Sequence, residues 1–196
     1  MEAAPLLVLV GPAATGKSTV GRGVAARLGR PFTDLDAVAD TYYREVGWSV
    51  ARLRERITAL GRVAAEREWE PARVHAVRRF LADHPGAVVA LGAGHTSYAD
   101  PRHAAQVRAA LRPCTAVHLL LPAADPERAL TVLRRRSMAS KGTDWITDGH
   151  DFLAQWLHDP MCRAVATHVV CTEGDTPEQS IDHVLRLLPA HLGGPA

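Results

Sequence analysis

Five short segments rich in apolar residues recur along the chain, and each has the length of a β-strand. The uninterrupted apolar run Leu6–Val10 is typical of a strand that is buried on both faces of a parallel sheet. The segments that we predict to be strands are Leu6–Val10, Pro31–Asp34, Ala87–Leu91, Thr115–Leu121 and Thr167–Cys171.

Segments with helical periodicity separate these strands. Val20, Val24 and Leu28 share one face of a helix that Gly29 is expected to end. Because proline is tolerated in the first turn of a helix, we expect a new helix to begin near Pro71. The further predicted helical segments are Ala37–Glu45, Ser49–Leu60, Val63–Asp83, Pro101–Leu111, Pro126–Arg136, Phe152–Val165 and Pro177–Leu188.

Strands that alternate with helices predict an α/β fold, a three-layer sandwich in which helices cover both faces of a five-stranded parallel sheet. The polar segment Ser137–His150 is expected to form a mobile loop, and Gly193–Ala196 a frayed tail. The 196 residues contain no repeat and no linker, so we expect a single domain, 1–196. Ligands in such folds bind at the carboxyl ends of the strands.

Composition narrows the range of partners. A net charge of +2, with the two signs interspersed, gives no reason to expect nucleic acid or a membrane surface as a partner. The three cysteines are far apart and form no C-x-x-C pair, which favours a reducing compartment over a disulfide framework. No signal peptide and no apolar run of membrane-spanning length is recognisable, so we expect a cytoplasmic protein.

The segment Gly11–Ser18 matches the phosphate-binding pattern G-x-x-x-x-G-K-[ST] in full. Gly11 and Gly16 let the backbone point N–H groups at phosphate oxygens, and the following helix adds the positive end of its dipole. Lys17 is expected to contact the β- and γ-phosphates, and Ser18 to offer a hydroxyl to Mg²⁺. The residues predicted to bind the nucleotide here are Gly11, Ala13, Ala14, Thr15, Gly16, Lys17, Ser18 and Thr19.

Other features separate the classes of nucleotide-binding protein. A G-protein needs an N-K-x-D segment, but the only lysine after Lys17 is Lys141, which Gly142 follows. Large motor ATPases need a longer chain than this one. We therefore predict a small kinase that uses ATP and Mg²⁺.

An acidic pair, Asp34 and Asp36, follows the second predicted strand. Two residues apart at a strand end, the side chains can point the same way. One carboxylate can help to hold Mg²⁺, which prefers oxygen ligands, and the other can accept the proton of an attacking hydroxyl. Either one can also cap the following helix, a role that is compatible with catalysis.

These segments together resemble the shikimate kinase family. The resemblance rests on Gly16–Arg22, on Phe32–Asp36 and on Arg67–Glu70, which matches the family's R-x-x-E segment. It also rests on Gly92-Ala93-Gly94, which resembles the family's triple-glycine turn. It covers most of the chain in order and spacing. It implies a parallel sheet with the strand order 2-3-1-4-5 and acceptor-binding helices at about 37–83.

The resemblance also implies roles for individual residues. Asp34 would serve the metal together with Ser18, and Asp36 would serve catalysis and substrate binding. Arg67 would clamp the substrate, and Glu70, one helical turn away, would orient it. The other residues that the pattern implies at the substrate are Gly92, Ala93, Gly94 and His95.

A lid at about 137–150 would follow three consecutive arginines. A lid excludes water and brings positive charge to the transferred group. Arg136 is expected to be catalytic together with Lys17, and Arg134 to bind the nucleotide, while Lys141 is an alternative source of the charge. Arginines at the end of a helix can also simply complement its dipole.

The chain departs from the family pattern on the substrate side. The lid lacks the family's Arg-Pro-Leu stretch, Ala93 replaces the central glycine, and His158 lies near the place of a substrate-binding arginine. We expect ATP-dependent phosphoryl transfer to a hydroxyl of a small metabolite, by a monomer or a homodimer. An antibiotic or nucleoside O-phosphotransferase of the same fold, and a nucleotide-binding switch without transfer, remain alternatives.

Overall fold

A parallel sheet lies at the centre of the computed structural model, which describes residues 4–190. The strands of this sheet are β1 (Leu7–Val10), β2 (Phe32–Asp34), β3 (Val88–Ala90), β4 (Ala116–Leu121) and β7 (His168–Cys171). Two further short strands, β5 (Ile146–Thr147) and β6 (His150–Asp151), form a separate antiparallel hairpin. The predicted tail Gly193–Ala196 lies outside the described residues.

The order of the strands in the sheet is β2-β3-β1-β4-β7. Leu7 of the central strand β1 lies opposite both Val88 of β3 and Ala116 of β4. Counted within the sheet alone, this is the implied order 2-3-1-4-5, and the predicted parallel α/β sandwich is confirmed. The hairpin was not predicted, since strands of two residues are too short to show a periodicity.

The α-helices are α1 (Lys17–Leu28), α2 (Leu35–Arg44), α3 (Val50–Leu60), α4 (Arg62–Asp83), α5 (Pro101–Leu111), α6 (Pro126–Lys141), α7 (Phe152–His158), α8 (Pro160–Val165) and α9 (Pro177–Arg186), and a 3₁₀ helix spans Ala93–Thr96. Asp100, Asp125 and Thr176 each accept a hydrogen bond from a first-turn amide, and proline follows each of them. Across residues 4–190, every helix falls short of the length and apolar character that a membrane span needs.

Alternate side chains of β1 enter two cores on opposite faces of the sheet. Leu9 packs on one face with Val24 of α1 and Ile181 of α9. Val8 packs on the other face in a larger core that includes Phe80 of α4. This alternation is what a strand with neighbours on both sides and helices on both faces requires.

Helix α4 continues through Pro71, so the prediction that a new helix begins there is wrong. Proline in a helix interior removes a hydrogen bond and costs about 3 kcal/mol. The helix buries Ala65 before the proline and Ala72 and Phe80 after it, and this packing offsets the cost. The register of α4 is therefore unbroken.

Helix α6 extends to Lys141, so residues 137–141 are helical and do not belong to the predicted loop. Gly142 ends the helix in a left-handed conformation with φ of 67°, and its N–H bonds to the Met138 carbonyl. Trp145, at the start of the hairpin, donates from Nε1 to Ser137 Oγ at 2.9 Å. The predicted helix Phe152–Val165 is in fact divided into α7 and α8.

Buried His118 in β4 makes the stability of the fold depend on pH. Its side chain is fully buried, and neither ring nitrogen has a hydrogen-bond partner within the part of the chain that the structure describes. Burial lowers the pKa of His118 from 6.5 to about 4. The unfolded chain therefore takes up a proton first, and stability is lost as the pH falls from 6.5 towards 4.

When the pH falls from about 7.5 to about 5, we expect the free energy of unfolding to decrease by about 2 kcal/mol less in His118→Leu than in the wild type. Urea denaturation at both pH values measures this difference. The exposed His158→Ala variant is the control and should keep the wild-type dependence. Equal losses in His118→Leu and the wild type would contradict the explanation.

Candidate active site

The loop between β1 and α1 leaves backbone amides open at its centre. Gly11, Ala14 and Gly16 have positive φ angles of 136°, 62° and 92°. A side chain on Gly11 would place its Cβ 2.5 Å from the Leu120 carbonyl oxygen, so only glycine fits. No side chain caps the start of α1 after Gly16, so its first N–H groups remain available to phosphate oxygens.

Lys17 folds back across this loop. Its Nζ donates to the carbonyl oxygens of Gly11 and Pro12, both at 2.8 Å. Burial lowers the pKa of Lys17 to about 8, against the opposing effect of the Asp36 and Asp34 carboxylates. Phosphate oxygens are stronger acceptors for an ammonium group than carbonyls are, so a bound nucleotide is expected to raise this pKa again.

Ser18 and Asp34 provide oxygen donors beside the loop. The Ser18 hydroxyl donates to one Asp34 oxygen, and the other Asp34 oxygen accepts the Asp36 N–H at 3.1 Å and caps α2. A hydroxyl and a carboxylate suit Mg²⁺, which prefers oxygen ligands and keeps part of its water shell. The two residues that were predicted for the metal therefore lie in contact and fit this ion.

Asp36 approaches the turn after β3 because Gly92 has no side chain. A Cβ on Gly92 would lie 2.0 Å from Asp36 Oδ1 and 2.6 Å from His95 Nδ1. With glycine in place, His95 Nδ1 lies 3.8 Å from Asp36 Oδ1. The φ of Gly92 is −64°, so close approach rather than backbone conformation requires the glycine.

His95 is buried and hydrogen-bonded on one side only. Burial lowers its pKa to about 4, so the ring is neutral at pH 7. Its Nε2 lies 2.8 Å from the Tyr43 hydroxyl, and burial raises the pKa of that phenol, which keeps its proton. If Tyr43 donates to Nε2, the ring proton is on Nδ1, facing Asp36.

Two cavities meet at Asp36. The phosphate cavity, of about 170 Å³, lies over the loop, and the acceptor cavity, of about 290 Å³, lies among α2, α3, α4, the 3₁₀ helix and α7. Asp36 and Lys141 line both of them. The predicted nucleotide-binding residues that line the phosphate cavity are Ala14, Thr15, Gly16, Lys17, Ser18 and Thr19. The predicted residues that line the acceptor cavity are Ala13, Asp36, Ala93, Gly94 and His95.

The arginines that precede the lid lie away from the junction of these cavities. Arg134 pairs with Asp151 of β6, and its contact with the nucleotide stays a prediction. Arg136 donates to Thr172 Oγ1 at 3.3 Å and lines a third cavity, which shares Thr15 with the phosphate cavity. Arg136 thus lies beside the phosphate loop, and its catalytic role stays a prediction. Lys141 lies at the junction because α6 is longer than predicted.

Arg67 does not line the acceptor cavity itself but an adjoining cavity of about 200 Å³, so its place at the substrate stays a prediction. The two cavities share Glu66, Arg73 and Trp156. Arg67 is exposed on α4, whereas Arg73, six residues further on, is buried and lines the acceptor cavity. Glu70 does not orient Arg67. Its carboxylate accepts the backbone N–H groups of Ala99 and Asp100 at 3.0 and 2.9 Å.

One face of α4 lines the acceptor cavity and was not predicted from the sequence. Arg62, Glu66, Trp69 and Arg73 follow one another at intervals of four, three and four residues, and all of them line the acceptor cavity. Charged and aromatic residues at helical spacing on a largely core-facing helix are the signal that identifies this face. The assumed break at Pro71 concealed it.

The chain matches known sequences over most of its length. A sequence model of the shikimate kinase family matches residues 13–189. The shikimate kinase of Streptomyces coelicolor is 34% identical over 185 residues, which cover 90% of this chain and 91% of that protein. The shikimate kinase of Thermobifida fusca is 31% identical over 192 residues, which cover 97% of this chain and 98% of that protein.

Solved structures share the fold. A shikimate kinase from Acinetobacter baumannii in complex with shikimate superposes with a TM-score of 0.63 at 22% identity, covering 94% of this chain and 92% of that chain. The shikimate kinase from Aquifex aeolicus superposes with a TM-score of 0.59 at 16% identity, covering 96% of this chain and 99% of that chain.

We expect Gly92→Ala to lower kcat roughly a hundredfold, because the new Cβ must displace Asp36 or His95 and small displacements in a site are costly. Nucleotide affinity, measured by calorimetry, should stay unchanged. Gly94→Ala is the comparison variant. Its loss of kcat should be smaller, because its Cβ would meet the end of the flexible Arg73 side chain at 2.9 Å. A larger loss of kcat in Gly94→Ala than in Gly92→Ala would contradict the prediction.

Proposed function

The chain belongs to the shikimate kinase family, and we propose that it transfers the γ-phosphoryl group of ATP to a hydroxyl of shikimate or of a related small alcohol in the acceptor cavity. Shikimate kinases are ATP-dependent and use Mg²⁺, and the protein is accordingly an ATP-dependent small-molecule kinase.

One observation supports the proposal above the others: Asp36 lines both the phosphate cavity and the acceptor cavity. A carboxylate at this junction lies where the hydroxyl of an acceptor would meet the γ-phosphorus of ATP. A nucleotide-binding switch would need the phosphate cavity alone. The adjoining cavity, with His95 and Arg73 in its wall, therefore favours a kinase.

Asp36 is our candidate for the general base. The hydroxyl oxygen attacks the γ-phosphorus in line, and its new bond to phosphorus forms as the bond to the β–γ bridging oxygen breaks. ADP leaves with the electron pair of the broken bond, and the hydroxyl proton passes to the Asp36 carboxylate. His95, with Nδ1 3.8 Å from Asp36 Oδ1, helps to position that carboxylate.

Positive charge would come from both sides of the transferred group. Lys17 would leave the loop carbonyls for the β- and γ-phosphates, and Lys141 would approach from the end of α6. When bound, Mg²⁺ would neutralise phosphate charge, and Ser18 and Asp34 would hold it or its waters.

A panel of small alcohols, with shikimate first, tests the function. The protein is incubated with ATP and Mg²⁺, ADP formation is followed, and phosphorus NMR identifies any phosphate ester. We expect at least one alcohol to raise ADP formation and to yield an equal amount of ester. ADP formation that no alcohol raises, without any ester, would overturn the proposal.

Asp36→Asn should lower kcat with the best acceptor by about 10²- to 10⁴-fold, because an amide cannot accept the hydroxyl proton. Nucleotide affinity should be little changed, since the phosphate loop is intact, and calorimetry with ADP and Mg²⁺ measures it. Wild-type kcat in Asp36→Asn would remove the candidate base.

Lys141→Met should lower kcat by about 10- to 100-fold, because it removes a positive charge from the junction of the two cavities. Arg135→Met is the matched control, since Arg135 is exposed on the same helix and the charge change is equal. Equal effects of the two substitutions would show that only the net charge matters, contrary to the assigned role.

A further inference from the structure

We infer that the preferred acceptor is an uncharged alcohol with a flat apolar ring, rather than a ring that carries a carboxylate. This substrate class follows from the walls of the acceptor cavity and rests on the proposed phosphoryl transfer. Three features of those walls point to it: the aromatic rings, the engagement of the arginines, and the charge of the remaining polar groups.

Aromatic rings form much of the cavity wall. Trp145 and Trp156 meet edge to face with centroids 5.0 Å apart, and so do Tyr43 and Trp69. All four side chains line the cavity. Rings on several sides favour contact with an apolar ring of the ligand, and they offer no compensation for the lost hydration of an anion.

Arg73 is engaged with the protein itself. Its Nη1 donates to the carbonyl oxygens of Gly94 and Ser97, and its Nη2 lies 3.8 Å from the Glu66 carboxylate. The guanidinium also lies near two aromatic rings, 5.2 and 5.3 Å from their centroids. Both terminal nitrogens of Arg73 therefore have partners in the protein, and only Nε has no hydrogen-bond partner among the described residues.

Arg62, the other arginine in the wall, is engaged as well. Its Nη2 lies 3.0 Å from Glu66 Oε1, and its guanidinium stacks over the rings of Trp145 and Phe152 at 5.2 and 5.0 Å. Glu66 thus lies between two arginines and brings its own negative charge to the cavity. That charge, together with Asp36 in the same lining, disfavours a further carboxylate inside.

Four buried side-chain nitrogens of the wall have no hydrogen-bond partner among the described residues: Nε1 and Nδ1 on the neutral rings of Trp69 and His95, and Nε of each guanidinium, Arg62 and Arg73. The Trp69 N–H suits a hydroxyl or ether oxygen of a ligand, and His95 Nδ1 faces Asp36. Neither ring supplies a positive charge with which to bind an anion, and each of the two guanidiniums is already paired with Glu66. The remaining cation, Lys141, lies at the junction with the phosphate cavity.

Shikimate and its methyl ester test the exclusion of a carboxylate directly, because they share the ring and the hydroxyls and differ in the charge of one group. We expect kcat/KM for the ester to exceed kcat/KM for shikimate by at least tenfold, with a lower KM as the main cause. Equal values, or a preference for shikimate, would overturn the inference.

Binding gives a second readout that does not depend on turnover. Three of the four tryptophans of the chain line the acceptor cavity, so their fluorescence reports occupancy. In the presence of ADP and Mg²⁺, the ester should bind more tightly than shikimate. Tighter binding of the ester without phosphorylation of any alcohol would refute the proposed function, while the preference of the cavity for an uncharged ligand would stand. Failure of the ester to bind would overturn the substrate class alone.

Glu66→Gln tests the cause of the preference. Removing this negative charge frees two arginines for an anion, so the ratio of kcat/KM for ester to that for shikimate should fall about tenfold. Glu68→Gln is the matched control, because Glu68 is exposed on the same helix and pairs with Arg56 at 2.7 Å. An unchanged ratio in Glu66→Gln would contradict the assigned role of Glu66.

Discussion

The close approach of Asp36 to the turn after β3 is the contact on which the rest of the site depends. Strands β2 and β3 pair in parallel with Asp34 opposite Ala90, so the segments that follow them leave the same edge of the sheet. Asp34 caps α2 and thereby places Asp36 in the first helical turn. Gly92 then leaves the space that Asp36 and His95 share. Rigid elements, rather than loops, fix the candidate base.

This contact joins two regions of different character. On one side, open amides and Lys17 form a polar site for phosphates beside the oxygen donors Ser18 and Asp34. On the other side, tryptophans and engaged arginines form a cavity of nearly balanced charge. The first region suits a highly charged nucleotide, and the second suits a compact alcohol. Asp36 lines both cavities, at the place where the nucleotide and the alcohol would come into contact.

The phosphate side could be predicted from the sequence because its chemistry is local. The spacing of Gly11, Gly16 and Lys17 fixes the loop, and an apolar strand and a helix adjoin it directly in the chain. The parallel sheet was predicted correctly for a similar reason, because buried strands are recognisable by their composition, whereas the strand order was implied by the resemblance to the shikimate kinase family. Asp34 and Asp36 were found because they follow a strand at a known edge of the sheet.

The acceptor side could not be predicted equally well because it depends on helix register and helix length. A helix that continues through Pro71 brings Arg73 rather than Arg67 to the cavity. An α6 that ends at Gly142 brings Lys141 to the junction and leaves Arg134 to pair with Asp151. Tertiary packing decides both outcomes, and single-sequence propensities do not contain it.

A crystal structure with a non-hydrolysable ATP analogue, Mg²⁺ and a phosphorylatable alcohol tests the central claim most directly. The account predicts phosphates on the amides of the Gly11–Ser18 loop and an acceptor hydroxyl within about 3 Å of an Asp36 carboxylate oxygen. It would be contradicted by an alcohol that lies outside the acceptor cavity, or by a hydroxyl that faces the γ-phosphate with Asp36 turned away.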